Sequence, residues 1–430
     1  MPPVPSTSAT GAAPGDGAGA AAPDDPALRL RRAAEDMDWV MRFPLATAPG
    51  LVFVGARSTP AKLVEGVDPA ISGSHAGGAE TQAAAFAACL GEASEFLSQF
   101  ERPGDLLPEG HGLEVVDSGL DWTPPTADHV RALRLHDRAE VAVSADRCLR
   151  RPGLAARLGR EIPEPPVRLG LGCAAGRTET EARLNAVLEL VERDAAALWW
   201  RGGAAPRAFD PTDPALGAAF ARVASWRGEE TGRAMWFADL TTDLGIPVAA
   251  AFAADADPEA ESPALTVGVA ARPVMADAIL SAAREAIQGE LALALLAERL
   301  EHHGDGVATE GDLSLLARAA LDPASDPRLA PRGRPRRHAA PAGDGDGSGS
   351  QGAKDEQNLQ RVVDELAAAD HHVLCVTLTR PRPGLHVVWA MAPTLQPDPS
   401  PLETSRLRAA AASAASAAGG IPRPQGPSLW

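Results

Sequence analysis

GCAAGRTETEARLNAVLELVERDAAALWW, Gly172–Trp200, is the stretch on which the fold turns. It reads as a Gly-rich turn leading into a helix that carries Glu181, Glu189 and Glu192. Glu189 and Glu192 are three residues apart, so both project from one helix face. Arg193 and Asp194 follow directly. Like charges on one face repel by about a few tenths of a kcal/mol, so the pair calls for a compensating cation. A hard divalent ion suits it, because such ions are held by carboxylate oxygens.

The same design occurs upstream in GSHAGGAETQAAAFAACLGEASEF, Gly73–Phe96, a Gly-rich turn and an Ala-rich helix ending in Glu92 and Glu95. A third acid helix, ADAILSAAREAIQGELALALLAERL, places Glu285 and Gln288 one turn apart. Three amphipathic helices presenting acids can build one acidic pocket, suited to Mg2+ bridging phosphate oxygens. Alone, a Glu-x-x-Glu pair is more often a solvated face; two such pairs and a Glu-x-x-Gln on three helices carry the argument. No G-x-x-x-x-G-K-[ST] phosphate loop is present. GLGCAAG, Gly170–Gly176, imitates a dinucleotide fingerprint, but only VRL precedes it and no ribose-binding acid is evident on a second strand.

These segments resemble the YcaO domain. The matching residues are Ala174-Ala175-Gly176, Glu181-Ala182, and Glu189-Leu-Val-Glu192-Arg193-Asp194-Ala195. GEASEFLSQ, DLTTDLGIPVAAAF (Asp239–Phe252), the Glu285-x-x-Gln288 block and GLHVVWAMAPTLQP (Gly384–Pro397) follow the family's order, so the resemblance spans roughly Leu51–Pro397. It implies an α/β (α+β) YcaO-like fold, with mixed sheets flanked by helices and pseudo-repeated acid helices around an ATP–magnesium pocket. Glu92, Glu95, Glu189, Glu192 and Glu285 would hold Mg2+. Arg177, Glu181, Arg193 and Gln288 would join them around ATP.

The implied activity is ATP-dependent cyclodehydration of Cys, Ser or Thr in a ribosomally made precursor peptide, as in synthesis of linear azole-containing microcins. A leader-binding partner protein would present the peptide, and an FMN-dependent dehydrogenase is a further partner. A homodimer is compatible with the family. Thioamide or amidine formation is the alternative chemistry, and a non-catalytic scaffold subunit the alternative role. The chain departs from the family at Phe96, Glu290 and Trp389, where relatives carry Arg, and at Arg177, where Asn is usual. The end, Pro422-Arg-Pro424-Gln-Gly-Pro427-Ser-Leu-Trp430, matches the family's alternating prolines in part.

Composition sets bounds. A net charge of −17 argues against a phosphate-backbone footprint and hence against nucleic acid. No apolar run has bilayer length, and the N-terminus lacks a secretory signal's basic start. Cys89, Cys148, Cys173 and Cys375 are scattered, with no C-x-x-C pair, which suits free thiols in the cytoplasm. Cys173 has nothing nearby to activate it. His302-His303 and His371-His372 are adjacent pairs whose rings point apart, and Trp199-Trp200 reads as core.

Residues 1–26 read as a disordered tail, 27–403 as the YcaO-like domain and 404–430 as an Ala/Pro-rich tail. Within the domain, ALRLRRAAEDMDWVMRFPL starts as a helix and Glu161–Val167 is a Pro-rich joint. Strands are expected at Leu51–Ala56, GLEVVDSGL, RAEVAVSADRCL, two or three within Ala234–Ala271, and HHVLCVTLT. Gly333–Glu356 reads as a flexible linker, within a boundary of 333–357, followed by the amphipathic helix NLQRVVDELAAAD.

Overall fold

The computed structural model describes residues 26–116, 122–210, 212–227, 231–257, 262–332, 350–382 and 384–416, and single positions 260, 335, 338, 422, 423 and 429. In chain order the elements begin with α1 (Pro26–Glu35), β1 (Met37–Phe43), β2 (Val52–Ser58), β3 (Gly73–Ala79) and α2 (Gln82–Ser98). They continue with β4 (His129–Arg134), β5 (Glu140–Ser144), α3 (Leu154–Leu158), β6 (Cys173–Gly176) and α4 (Glu179–Trp200). Next come α5 (Pro214–Arg227), β7 (Arg233–Asp239), β8 (Val248–Asp255), β9 (Thr266–Ala271) and α6 (Met275–His303). The last are α7 (Glu310–Ala319), α8 (Gln351–Ala368), β10 (Leu374–Thr377), β11 (His386–Met391) and α9 (Ser405–Ser416).

Three sheets result, with strand orders β1-β2-β3, β5-β4-β10-β11-β6 and β7-β8-β9. Every ladder between these strands is antiparallel. Parallel pairing is confined, among the described residues, to isolated bridges at Phe100–Arg150 and Val115–Ala142. The mixture expected of the sheets is therefore marginal, and β6 pairs with β11 rather than opening a parallel dinucleotide-binding unit.

The two stretches read as Gly-rich turns are strands, β3 and β6. Each is followed by an acid helix capped by threonine. Thr81 accepts from the Ala84 amide and Thr178 from the Glu181 amide. With β9–α6 the unit occurs three times, so the repeat expected of two blocks extends to a third. Strand glycines let each helix lie against its own strand. A Cβ at Gly77 would meet the Cys89 amide of α2, at Gly176 the Ala182 amide of α4, and at Gly268 the Ala282 carbonyl and Ala286 amide of α6. Gly172, before β6, has φ +78° and no room for a side chain against the Ala390 carbonyl. Gly268→Ala is expected to cost about 1–3 kcal/mol by overpacking. It should also reduce Mg-ATP binding by displacing Glu285; chemical denaturation and nucleotide titration together check this.

α4 is the central helix. Its Val187, Leu188, Val191 and Trp199 are buried in a core shared with β8, β9, β11 and α8. Trp199 and Trp200 are core, as expected; the Trp199 indole donates to the Arg328 carbonyl at 2.9 Å. Three boundaries differ from the sequence reading. The chain leaves α1 at Glu35 and turns into β1, because Met37–Phe43 pairs with β2. α8 begins at Gln351, inside the segment read as linker. The Ala-rich stretch after 404 is a docked helix, α9, with Leu407 fully buried. β4 carries no strand expectation; His129–Arg134 joins β5 to β10. Of GLEVVDSGL, Val115 bridges to Ala142, while residues 117–121 lie outside those described.

Candidate active site: a string of anchored carboxylates

The three acid helices bring five carboxylates into one row of neighbours, and each accepts from one backbone N–H. The Ala76 amide of β3 donates to Glu92 at 3.0 Å. The Ala175 amide of β6 donates to Glu95 at 2.7 Å. Glu189 accepts from the Gly172 amide. Val269 and Ala271 of β9 donate to Glu285 at 2.9 Å and to Glu192 at 3.3 Å. Glu95 thus reaches across from its own unit to the strand of the next, and Glu192 does the same toward β9. These crossed anchors hold the helices in register along the row.

One amide per carboxylate leaves most of the acceptor capacity free. The Arg193 guanidinium lies between Glu189 and Glu192, 3.7 Å from each. Glu92 is exposed, and the other four acids are half-buried. Burial pushes Glu189 up to about 7, and the protein packed around Glu92 raises it as well, although its side chain reaches solvent. Burial, with repulsion from Glu189 and Glu92, pushes Glu95 up to about 8. Burial and the Glu192 charge push Glu285 up to about 8. Glu192 is also raised by burial, opposed by Arg193 and Arg272. The repulsions order the acids into a string, Glu92–Glu95–Glu189–Glu192–Glu285.

Among the described residues, no group of three His, Cys, Asp or Glu side chains could hold a metal ion by itself. A cation here would take one or two carboxylates and complete its shell from water or a ligand. That is how Mg2+ is usually held beside phosphates. The clustered, under-partnered and upward-shifted carboxylates fit such ions.

The carboxylate string carries a stability signature. A carboxyl whose folded pKa is raised keeps its proton longer in the native state. Between the ordinary 4.5 and about 7 to 8, the native protein therefore binds more protons than the unfolded chain. Stability falls as pH rises across that window and levels off above it. Mg2+ should raise the thermal midpoint at about pH 8, where the acids are ionised, and have little effect near pH 5. Differential scanning fluorimetry with and without Mg2+ reads this directly.

The remaining expected residues are placed as follows. Glu181 sits in the first turn of α4, about 12 Å along the axis from Glu189. It accepts from the Arg177 amide at 2.8 Å and its guanidinium at 3.0 Å. Gln288 lies on α6 one turn past Glu285, half-buried, with no hydrogen bond among the described residues. Asp194 leaves the row: it is fully buried and pairs with Arg406 of α9 at 2.9 Å. Glu290 is also outside, bridged to Arg227 at 2.7 Å and to Arg233 at 3.3 Å. Phe96 packs edge-on to Phe100, and the Arg150 guanidinium stands 5.0 Å from its ring. The Cys173 thiol is buried and raised well above its ordinary value, which suits packing rather than attack. The four free cysteines are all buried. His371 accompanies Arg406 and Thr394, and His372 stacks on His136, so this pair is split.

Sequence reasoning missed Arg272, which follows β9 and moderates the charge of Glu192 and Glu285. Its signal was position alone, as the first residue after the strand that anchors both acids.

No helix among the described residues is long and apolar enough to cross a membrane. No curated protein sequence matches the chain. Solved structures do. A heterocyclase in complex with substrate and cofactor superposes with a TM-score of 0.61 at 20% identity, over 86% of this chain and 52% of that one. The chain thus spans about half the length of that heterocyclase. YcaO from Methanopyrus kandleri bound with AMPPCP and Mg2+ gives 0.56 at 19% identity, over 86% of this chain and 91% of that one. The E. coli microcin synthetase McbBCD complex gives 0.54 at 12% identity, covering 83% and 89%. At these identities the likeness is one of fold. The family model described as YcaO cyclodehydratase, ATP- and Mg2+-binding, matches residues 120–396, more than half of the 430 residues. The chain belongs to the YcaO cyclodehydratase family, whose domain binds ATP and Mg2+.

Proposed function

We propose that this chain is an ATP-dependent peptide cyclodehydratase. The observation that carries the reading is the string of five backbone-anchored carboxylates, drawn from three helices and joined at Arg193. Glu92, Glu95, Glu189, Glu192 and Glu285 would hold Mg2+, which supplies charge neutralisation for a triphosphate. Arg193 would meet phosphoryl oxygens, and Gln288 offers an uncommitted amide beside Glu285. Arg177, just before α4, and Glu181, in its first turn, would meet the nucleoside end.

In the proposed reaction a Cys, Ser or Thr side chain of the substrate adds to the preceding amide carbonyl, and its proton is lost. The resulting oxyanion attacks the γ-phosphorus of ATP and ADP leaves. The phosphorylated oxygen then departs as inorganic phosphate, the amide nitrogen gives up its proton, and a C=N bond closes the azoline. Peptide and ATP give azoline peptide, ADP and phosphate. The protein's part is to position the amide and offset developing charge. Phe96 and Glu290, two departures from the family pattern, lie outside the carboxylate string, which favours turnover over the scaffold reading.

A precursor peptide, a leader-binding protein and an FMN-dependent dehydrogenase are the proposed partners, with a cytoplasmic setting that suits four free thiols. Mass spectrometry of peptide incubated with the protein, its partners and Mg-ATP tests the function. Loss of one water per ring is expected. Sulfur replacing oxygen would instead indicate thioamide formation, and an unchanged mass with every partner folded would indicate the scaffold.

A further inference from the structure

A cavity of about 440 Å³ lies among the β3–α2 junction, α5 and the first turns of α6. Three arginines line it: Arg222 of α5, Arg272 just after β9 and Arg284 of α6. Two acids line it as well, Glu80 and Asp277. Glu80 is already engaged, accepting from Arg222 at 2.5 Å and from the Trp226 indole at 2.6 Å. Asp277 is exposed.

Arg272 and Arg284 are the unusual pair. Both are half-buried. Arg272 donates to the Ala271 carbonyl at 2.7 Å, and Arg284 to the Leu280 carbonyl at 3.3 Å and the Ser281 hydroxyl at 3.1 Å. Neither has an acid within ion-pair distance among the described residues, in a chain where Asp and Glu outnumber Lys and Arg by 57 to 40. Burial holds the Arg284 guanidinium below its ordinary value, and repulsion from Arg272 and Arg222 adds to this. Two guanidiniums that repel each other with no carboxylate between them are a place for an anion. A carboxylate ligand has two oxygens and fills one guanidinium fork. A phosphate has oxygens for both arginines and for the Ser281 hydroxyl. The cavity is many times the roughly 30 Å³ of one water, so a hydrated phosphate fits.

The cavity's position says where such an anion comes from. Ser281 is one turn before Glu285 on α6, and the Arg272 charge acts on both Glu192 and Glu285. The arginines therefore stand beside the Glu285 end of the carboxylate string. Glu181 is at the other end, about 16 Å from Glu192 along the axis of α4. With the nucleoside toward Glu181, the last phosphoryl group of the triphosphate points toward Glu285.

We infer that this cavity is a receiving site for inorganic phosphate, in which Arg272 and Arg284 hold the phosphate released by the proposed reaction apart from the magnesium-bound nucleotide. The source of the phosphate rests on the cyclodehydratase reading; the site itself rests on the arginines. Phosphate then binds together with Mg-ADP, not in competition with it.

The test is equilibrium dialysis of radiolabelled inorganic phosphate against the full-length protein, with and without saturating Mg-ADP. One phosphate per chain is expected in both. Arg272→Gln and Arg284→Gln should each weaken it at least about tenfold, the worth of a hydrogen bond to a charged group. Mg-ADP affinity should be unchanged on the same samples. The thermal midpoint should hold or rise, because each variant removes a guanidinium that has no acid partner. Absence of phosphate binding, or its displacement by Mg-ADP, overturns the inference. So does binding that survives both variants and is lost in Arg193→Gln, which would put the anion in the acid string. If AMPPCP with Mg2+ expels phosphate and itself binds more weakly to the two variants, the arginines belong to the γ-phosphoryl group of the nucleotide and the separate site falls. Phosphate held by both arginines in a protein that binds no Mg-ADP would remove the cyclodehydratase reading and keep the site. Nucleotide bound without phosphate would do the reverse.

Discussion

Replacing Glu189 and Glu192 together by glutamine is expected to lower Mg-ATP-dependent phosphate release by about a thousandfold or more, since one preorganised electrostatic group is worth roughly 10²–10³. The substitution is nearly isosteric. It keeps an acceptor for the Gly172 and Ala271 amides, so the helix anchors survive. What it removes is charge at the centre of the string, where Arg193 and both flanking acids converge. The fold should tolerate this. Both carboxyls have pKa values raised by burial, so their ionised forms oppose folding at neutral pH. The double variant should therefore hold or raise its midpoint at about pH 8 and show a weaker pH dependence than the parent. Phosphate release under saturating Mg-ATP, with a thermal melt of the same sample, separates the cases. A rate within about tenfold of the parent would remove these acids from the chemistry. A lost rate with a lost fold would make them structural.

The acid helices were legible because a 3.6-residue period and an i,i+3 pair leave a local trace. The same arithmetic separates Asp194 and Glu290 from the acids they follow. Asp194 is two residues past Glu192 and Glu290 five past Glu285, so both turn well away from the row. The strands of the second half were legible from their β-branched and aromatic content, as in β7–β9. β3 and β6 were not, because GSHAGGA and CAAG have turn composition. They are strands because a helix must lie against them closer than any Cβ permits, and that closeness is tertiary. The crossed anchors, Glu95 to Ala175 and Glu192 to Ala271, span about eighty residues and leave no local pattern.

Asp194→Ala is expected to destabilise the protein by about 3–5 kcal/mol, the cost of breaking a buried ion pair by removing one partner. Asp194 is fully buried on α4. It accepts from Arg406 Nε at 3.0 Å, Arg406 Nη2 at 2.9 Å and the Gln396 amide at 2.9 Å. Alanine would leave a guanidinium and a backbone N–H without their buried acceptor. Asp243, the other acid on Arg406, is 65% exposed and cannot replace it. The lock joins the central helix, α9 and the turn after β11. Gln396 holds that turn further, accepting from Thr404 and donating to Leu402. Losing Asp194 should therefore detach α9 and loosen Leu395 and Gln396, which wall the small cavity beside Arg193. Asp194→Asn should cost less, because its amide oxygen can still accept from Gln396. Adding Arg406→Met to Asp194→Ala should recover part of the loss, since no stranded charge remains. Urea unfolding of the parent, Asp194→Ala, Arg406→Met and the double variant measures the coupling. A single-variant change below about 1 kcal/mol would show that the pair is solvated like a surface bridge. Amide exchange then tests the consequence for the site. If the lock holds α9 in place, Ser405–Ser416 should exchange faster in Asp194→Ala while α2 and α6 keep their protection, because their carboxylates are anchored to β3, β6 and β9 and take nothing from α9.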